Sequence, residues 1–226
     1  METSLHRDLK RLYGDQDDQF EVVLGAHRID VIAGGCLVEI QLGSLSAIRD
    51  KVRILVKSHR VLVVKPIIVQ KTLVKRARKD GPVAQRRNSP KRGTILEVFD
   101  ELIHFTRAFP HAQLTLEVPM IDIEEWRYPG HGRRRRWRRN DYQVEDQKLI
   151  AVHQTYRFQT AADLAQLITC TLPRKFHTGQ LAESLQVPRW TAQRIAYCLR
   201  QMGAVSVVGK QGNTRLYRLA RARKVA

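Results

Sequence analysis

The chain has 226 residues, with 40 lysines and arginines against 22 aspartates and glutamates, a formal net charge of +18 at pH 7. That length is enough for one or two domains with real cores, and the charge marks a surface that attracts polyanions, nucleic acid first among them. No run approaches the ~20 apolar residues that span a bilayer. Met1-Glu2-Thr3-Ser4 leads into a charged segment, not a hydrophobic signal core, so a cytoplasmic protein with no membrane partner is expected. Cys36, Cys170 and Cys198 stand far apart with no CxxC pair, which fits small core residues in a reducing compartment and not zinc ligands or disulfides.

Along the chain, Leu5, Leu9 and Leu12 at helical spacing predict an amphipathic helix over Ser4–Tyr13, followed by a polar loop, Asp15–Gln19. Three short strands, Phe20–Leu24, Arg28–Ala33 and Cys36–Gln41, are separated by Gly25-Ala26 and Gly34-Gly35 and read as a meander. Ser44 can cap a helix running to about Ser58, with Leu45, Ile48, Val52, Leu55 and Val56 on one face. The uniformly apolar Val61–Val64 then reads as a strand covered on both faces, which makes a parallel crossover. Lys71–Arg92 carries nine basic residues and one acid and is interrupted by Gly81-Pro82 and Ser89-Pro90, so it is expected to be a flexible basic loop. A helix over Thr94–Ala108 and a strand over Leu114–Ile123 complete a first domain, and Arg127–Asn140 is a second basic loop.

From Phe158 on, Thr160 and Asp163 suit a helix start for Ala161–Ile168, a second helix fits Thr178–Leu185, and a third fits Trp190–Met202 with Gly203 as its stop. Val205–Val208 and Arg215–Leu219 are strand-like around the basic tip Gly209–Asn213. Three helices and a basic hairpin over Thr160–Leu219 resemble winged helix-turn-helix DNA-binding domains. The chain is therefore read as a first domain over 1–126, a basic linker over 127–157 and a winged-helix domain over 158–222.

Two carboxylates interrupt the apolar strands, Asp30 in Arg28-Ile29-Asp30-Val31 and Glu39 in Leu37-Val38-Glu39-Ile40-Gln41. Burying them is costly unless something pairs with them, and two converging carboxylates suit a hard cation such as Mg²⁺ or Mn²⁺. The order of helix, meander with Asp then Glu-x-Gln, Ser-capped helix and buried strand over Ser4–Pro66 resembles the PD-(D/E)XK nuclease superfamily. That resemblance implies an α/β restriction-endonuclease-like core with a mixed central sheet. It further implies that Asp30, Glu39 and the Ile40 carbonyl ligate the metal, which polarises the phosphate and activates water. Gln41 stands where the family usually has lysine, and Lys51 on the following helix is the candidate migrated cation; Glu21 is a candidate extra acid.

Candidate nucleic-acid contacts are Arg133, Arg134, Arg135, Arg136, Arg138 and Arg139 around Trp137, which together offer phosphate contacts and a stacking face. On the third C-terminal helix they are Arg189, Gln193 and Arg194, and on the hairpin Lys210 and Arg215. There is no GxxxxGK[ST], GxSxG or HExxH motif, so ATP hydrolysis, serine hydrolysis and zinc proteolysis lack support. The expected function is metal-dependent DNA cleavage of the endonuclease or resolvase kind. A non-catalytic DNA-binding regulator is the alternative that Gln41 keeps open. Charge alone does not separate DNA from RNA, and a homodimer is compatible with either function.

Overall fold

The computed structural model describes residues 3–15, 18–130, 141–168 and 172–220. Its elements in chain order are α1 (Ser4–Tyr13), β1 (Gln19–Leu24), β2 (His27–Ala33), β3 (Cys36–Ile40), α2 (Arg49–Leu55), β4 (Arg60–Val64), β5 (Ile67–Arg76), β6 (Val83–Asn88), α3 (Val98–Leu102), β7 (Leu114–Pro129), β8 (Tyr142–Phe158), α4 (Ala161–Gln166), α5 (Thr178–Leu185), α6 (Arg189–Gln201), β9 (Val205–Gln211) and β10 (Thr214–Leu219). The fold is α/β with a mixed central sheet of strand order β1-β2-β3-β4-β7-β5-β6, in which β8 pairs with β7; β9 and β10 form a second sheet. β5 and β7 run parallel, whereas β1–β2, β2–β3 and β5–β6 are antiparallel. No helix among the described residues is long and apolar enough to cross a membrane.

The chain forms two compact units that alternate along the sequence. The first comprises Met1–Leu42, Val64–Ile95 and Val118–Tyr156, and the second Gly43–Val63, Leu96–Glu117 and Arg157–Ala226.

In the first unit, α1 buries Leu5 and Leu9 and packs on β2 and β3. The Thr3 hydroxyl accepts from the His6 amide, and Asp146 on β8 accepts from the Ser4 amide at 2.9 Å and its hydroxyl at 2.6 Å. The carboxylate therefore sits at the positive end of the helix, where it is stabilising. The β2–β3 turn is the two-residue Gly34-Gly35, with φ of 52° and 70° between the paired Ala33 and Cys36. Positive φ at both positions is what a tight I′-like hairpin turn requires.

Two expectations are corrected here. Lys71–Arg92 is not a loop: β5 pairs with β6 from Thr72↔Asn88 to Arg76↔Val83, and Leu73 and Val74 are buried. β6 is exposed along its whole length, so it shows no alternation of apolar and polar residues to mark it as a strand. β7 continues past Ile123 to Pro129, and β8 occupies Tyr142–Phe158, so strand runs through much of the expected linker.

In the second unit, the two predicted long helices are short. Ser44 caps a single 3₁₀ turn, Leu45–Ala47, before α2, and a 3₁₀ turn, Ile95–Glu97, precedes α3. α4 begins on a capping box in which Thr160 and Asp163 bond reciprocally, and α5 begins on one built by His177 and Gln180. α6 buries Ala192, Ile195, Ala196, Cys198 and Leu199, and the Cys198 thiol faces the Phe99 carbonyl at 3.6 Å. Burial pushes that thiol up to about 12. Phe176 and Tyr217 exchange backbone hydrogen bonds at 3.0 and 2.7 Å, which ties the β9–β10 hairpin to the segment ahead of α5.

Because a side chain in the left-handed region costs roughly 1–2 kcal/mol, Gly35→Val is expected to lower the urea midpoint of unfolding measurably. Gly35→Asn, which tolerates positive φ, should lower it less; equal losses would show that the turn conformation does not set stability there.

Candidate functional site

The turn geometry sets the strand register, and the register builds the site. β1 and β2 pair through Phe20↔Val31 and Val22↔Ile29, which brings Glu21 opposite Asp30. β2 and β3 pair from Ala33↔Cys36 to Val31↔Val38, and extending that register by one residue would set Asp30 opposite Glu39. Opposed residues share a face, so Glu21, Asp30 and Glu39 form one row of carboxylates across three strands. Glu39 is buried, and Glu21 adopts a positive φ of 56°. A non-glycine residue held there costs of order 1–3 kcal/mol and is typical of functional sites.

α1 covers this row with two cationic or polar side chains. The buried Lys10 ammonium bonds Glu21 and lies 3.7 Å from Asp30 Oδ1. His6 Nε2 lies 3.4 Å from Asp30 Oδ2 and 3.2 Å from the Ile40 carbonyl oxygen. Asp30 Oδ2 also accepts from the Ile40 amide at 2.8 Å, and Glu21 bonds Arg28. Burial pushes the Asp30 carboxyl up, but hydrogen bonds from His6 and Ile40 and the neighbouring charges of His6 and Lys10 outweigh it. The net effect holds the carboxyl below the ordinary carboxylate range. A cavity of about 580 Å³ adjoins the row, lined by Arg7, Lys10, Arg11, Gly14, Asp15, Phe20 and Glu21.

The donor set suits a hard cation in its chemistry. The Asp30 carboxylate and the Ile40 carbonyl both contact His6 Nε2, and the buried Glu39 precedes Ile40 on β3. Among the described residues, no three His, Cys, Asp or Glu side chains are arranged around one metal position.

Of the residues singled out in the sequence, Asp30 and Ile40 are in contact, and Glu39 is buried next to Ile40 on β3. Gln41 lies beside them in the chain, and its amide donates to the Val64 carbonyl at 2.9 Å. Lys51 stands on α2 in the second unit. Sequence reasoning missed His6 and Lys10. Their signal was positional: each follows an inward leucine, Leu5 or Leu9, by one residue, so both flank the buried stripe of α1. Arg133–Arg136, Trp137, Arg138 and Arg139 lie outside the described residues.

On α6, Arg189, Trp190, Gln193, Arg194 and Tyr197 are exposed, with Trp190 52% and Tyr197 40% accessible. Arg194 is engaged: it bonds Asp100 at 2.7 Å and stacks over Trp190 at 4.6 Å. Lys210 and Arg215 are exposed cross-strand neighbours on the β9–β10 hairpin.

A family model described as a domain of unknown function, DUF8091, matches residues 3–159. The chain belongs to the DUF8091 family. The matched segment contains the whole carboxylate row and its α1 cover, and it ends before α4. This DUF8091 protein is also 28% identical over 221 residues to an uncharacterized protein of Treponema pallidum (strain Nichols), covering 96% of this chain and 85% of that relative. The similarity to that relative extends past the DUF8091 match, so it takes in most of the C-terminal helices and hairpin as well. No solved structure matches the chain.

A carboxyl held below its unfolded value stabilises the fold above that unfolded value and loses the contribution as pH falls through the folded one. Asp30→Asn is therefore expected to cost on the order of 1–3 kcal/mol at neutral pH, with the gap to wild type closing below about pH 4. Urea unfolding across pH measures this, and a gap independent of pH would show that Asp30 does not carry the cluster's charge.

Proposed function

We propose that this chain is a metal-dependent nuclease that binds DNA through its C-terminal helices and hairpin. One observation carries the catalytic part: the Asp30 carboxylate and the Ile40 carbonyl both contact His6 Nε2 on α1, and the buried Glu39 precedes Ile40 on β3. This fits the resemblance of the meander to PD-(D/E)XK nucleases. Asp30, Glu39 and the Ile40 carbonyl would hold Mg²⁺ or Mn²⁺, which supplies polarisation of the phosphodiester and a water of lowered pKa. Lys10 takes the cationic place that Gln41 leaves empty, since it already stands 3.7 Å from Asp30. Arg7 and Arg11 line the adjoining cavity beside Lys10 and supply further positive charge for the phosphate backbone. Phe20 offers that cavity an exposed aromatic face.

The binding part is carried by order and exposure. α4, α5, α6 and the β9–β10 hairpin follow the sequence of elements in a winged helix, and α6 presents Arg189, Trp190 and Gln193 outward.

A second reading, DNA binding without turnover, is favoured by the pairing of Asp30 with His6 and Lys10 and by Gln41. Incubating plasmid, single-stranded and branched DNA with Mg²⁺ or Mn²⁺ separates the two. Wild type should cut, and Asp30→Asn, Glu39→Gln and Lys10→Met should each lose roughly 100-fold or more while still binding. Equal cleavage by wild type and variants would overturn the nuclease reading, and binding without cleavage would establish the second. Replacing Arg189 and Lys210 with Gln should weaken DNA binding and lower its salt slope by about 1 for each phosphate no longer neutralised. An unchanged slope would move the binding surface off α6 and the hairpin.

A further inference from the structure

A second basic cavity of about 360 Å³ lies in the first unit, with Lys75, Gln85, Arg87, Arg127, Asp141 and Tyr142 in its walls. Register explains its charge. Lys75 on β5 is opposite Gln85 on β6 and opposite Arg127 on β7, so Gln85, Lys75 and Arg127 form one row across three neighbouring strands. Two residues along, Leu73 is opposite Arg87 and Glu125, which makes the next row on the same face.

Lys75 and Arg127 are thus like charges on strands about 4.8 Å apart, an arrangement that opposes folding unless an anion relieves it. Within the protein, the buried Glu125 supplies part of that relief. It bonds Arg127, accepts from Lys71 Nζ at 2.5 Å and from Gln147 Nε2 at 2.9 Å. Arg127 is fixed from a second side, its guanidinium lying 3.9 Å from the centroid of the Tyr142 ring. Lys75 and Arg87 are exposed at the cavity, and Asp141 is the carboxylate among its lining side chains.

Held rigid on two sides, a guanidinium keeps N–H donors aimed outward at little entropic cost, which is how arginine recognises phosphate. The Gly130 amide donates to the Asp141 carbonyl at 3.2 Å beside this cavity. Charge complementarity therefore selects a polyanion.

We infer that Lys75, Arg87 and Arg127 form a phosphodiester-backbone site for nucleic acid on the β5–β6–β7 face, separate from the Asp30 row and from α6. It rests on the reading that the chain binds nucleic acid, and it adds a binding surface that needs neither cleavage nor base recognition. Contacts of this kind position a strand without reading its sequence.

The test is fluorescence anisotropy of full-length protein with a labelled DNA oligonucleotide across a range of salt, with Lys75→Gln/Arg87→Gln as the variant. Both positions are exposed, so far-ultraviolet circular dichroism should match wild type and the unfolding midpoint should not fall. The expected result is an affinity lower by about tenfold at low salt, with a salt slope shallower by about 2, one for each phosphate no longer neutralised. Arg53→Gln/Lys57→Gln, which removes the same charge from α2 and the residues just after it, should change neither by more than a small fraction of that. Equal losses in the two variants, or none in the first, would overturn the site while leaving DNA binding intact. Absence of DNA binding by wild type would overturn the broader reading along with it. Anionic vesicles form a further arm, and binding to them that disappears in the Lys75→Gln/Arg87→Gln variant while DNA affinity is kept would assign the site to a membrane surface instead.

Discussion

Three carboxylates cannot occupy one row of a covered sheet unless cations lie over them, and the register of β1, β2 and β3 imposes that row. The Gly34-Gly35 turn fixes Ala33 against Cys36, and the pairs Ile32↔Leu37 and Val31↔Val38 follow, which bring Asp30 and Glu39 to the end of the same ladder. A slip of one residue would send the whole set to the opposite face. The helix that covers the row must therefore present charge inward, at Lys10, and still bury enough apolar surface to dock, which Leu5 and Leu9 provide. An uncompensated buried carboxylate costs several kcal/mol, so the position of α1 and the ionisation of Asp30 depend on each other. The left-handed φ at Glu21 is a further expense at the same place, tolerated because Lys10 and Arg28 both hold that side chain.

The second unit solves a different problem. α6 must bury one face among helices while leaving the other free, and its spacing does so: Ala192, Ile195, Ala196 and Leu199 are inside, while Trp190, Gln193 and Tyr197 are outside. Each exposed aromatic carries an arginine over its ring, Arg194 over Trp190 and Arg200 over Tyr197. Asp100 fixes Arg194 further, at the expense of some of its positive field.

What could be read from the sequence followed from periodicity. The meander, its two glycine turns, α5, α6 and the hairpin after it carry alternation or helical spacing over enough residues to be recognised, and Asp30 and Glu39 stood out because they broke an apolar pattern. β6 and β8 carried no such signal. β6 is exposed throughout, and β8 alternates half-buried polar residues with exposed apolar ones such as Val144, Ile150 and Val152, the reverse of the expected pattern. A dense run of arginine and lysine, with two Xaa-Pro breaks, imitates a loop when Lys71, Lys75, Arg76, Arg86 and Arg87 in fact stand on the paired strands β5 and β6. Lys10 was hidden for the same kind of reason: a lysine is expected to extend its ammonium into water, and only the acids on the neighbouring strands keep this one inside.

β8 links these features within the first unit. Asp146 and Gln147 are successive residues, and successive strand residues point to opposite faces. Asp146 fastens the first turn of α1 through the Ser4 amide and hydroxyl, while Gln147 holds Glu125, which in turn engages Lys71 and Arg127. Burial pushes the Asp146 carboxyl up, but its hydrogen bonds from Ser4 and Gln147 outweigh that, as those from Lys71 and Gln147 do at Glu125; both groups are held below the ordinary range. Both attachments are therefore charged at neutral pH and persist together. The helix that carries Lys10 over Asp30 and the acid that orders the second basic cavity are consequently set by adjacent residues of one strand. A displacement of β8 along its axis would disturb both, which makes this strand, absent from any periodic signal in the sequence, the element on which the geometry of the two sites jointly depends.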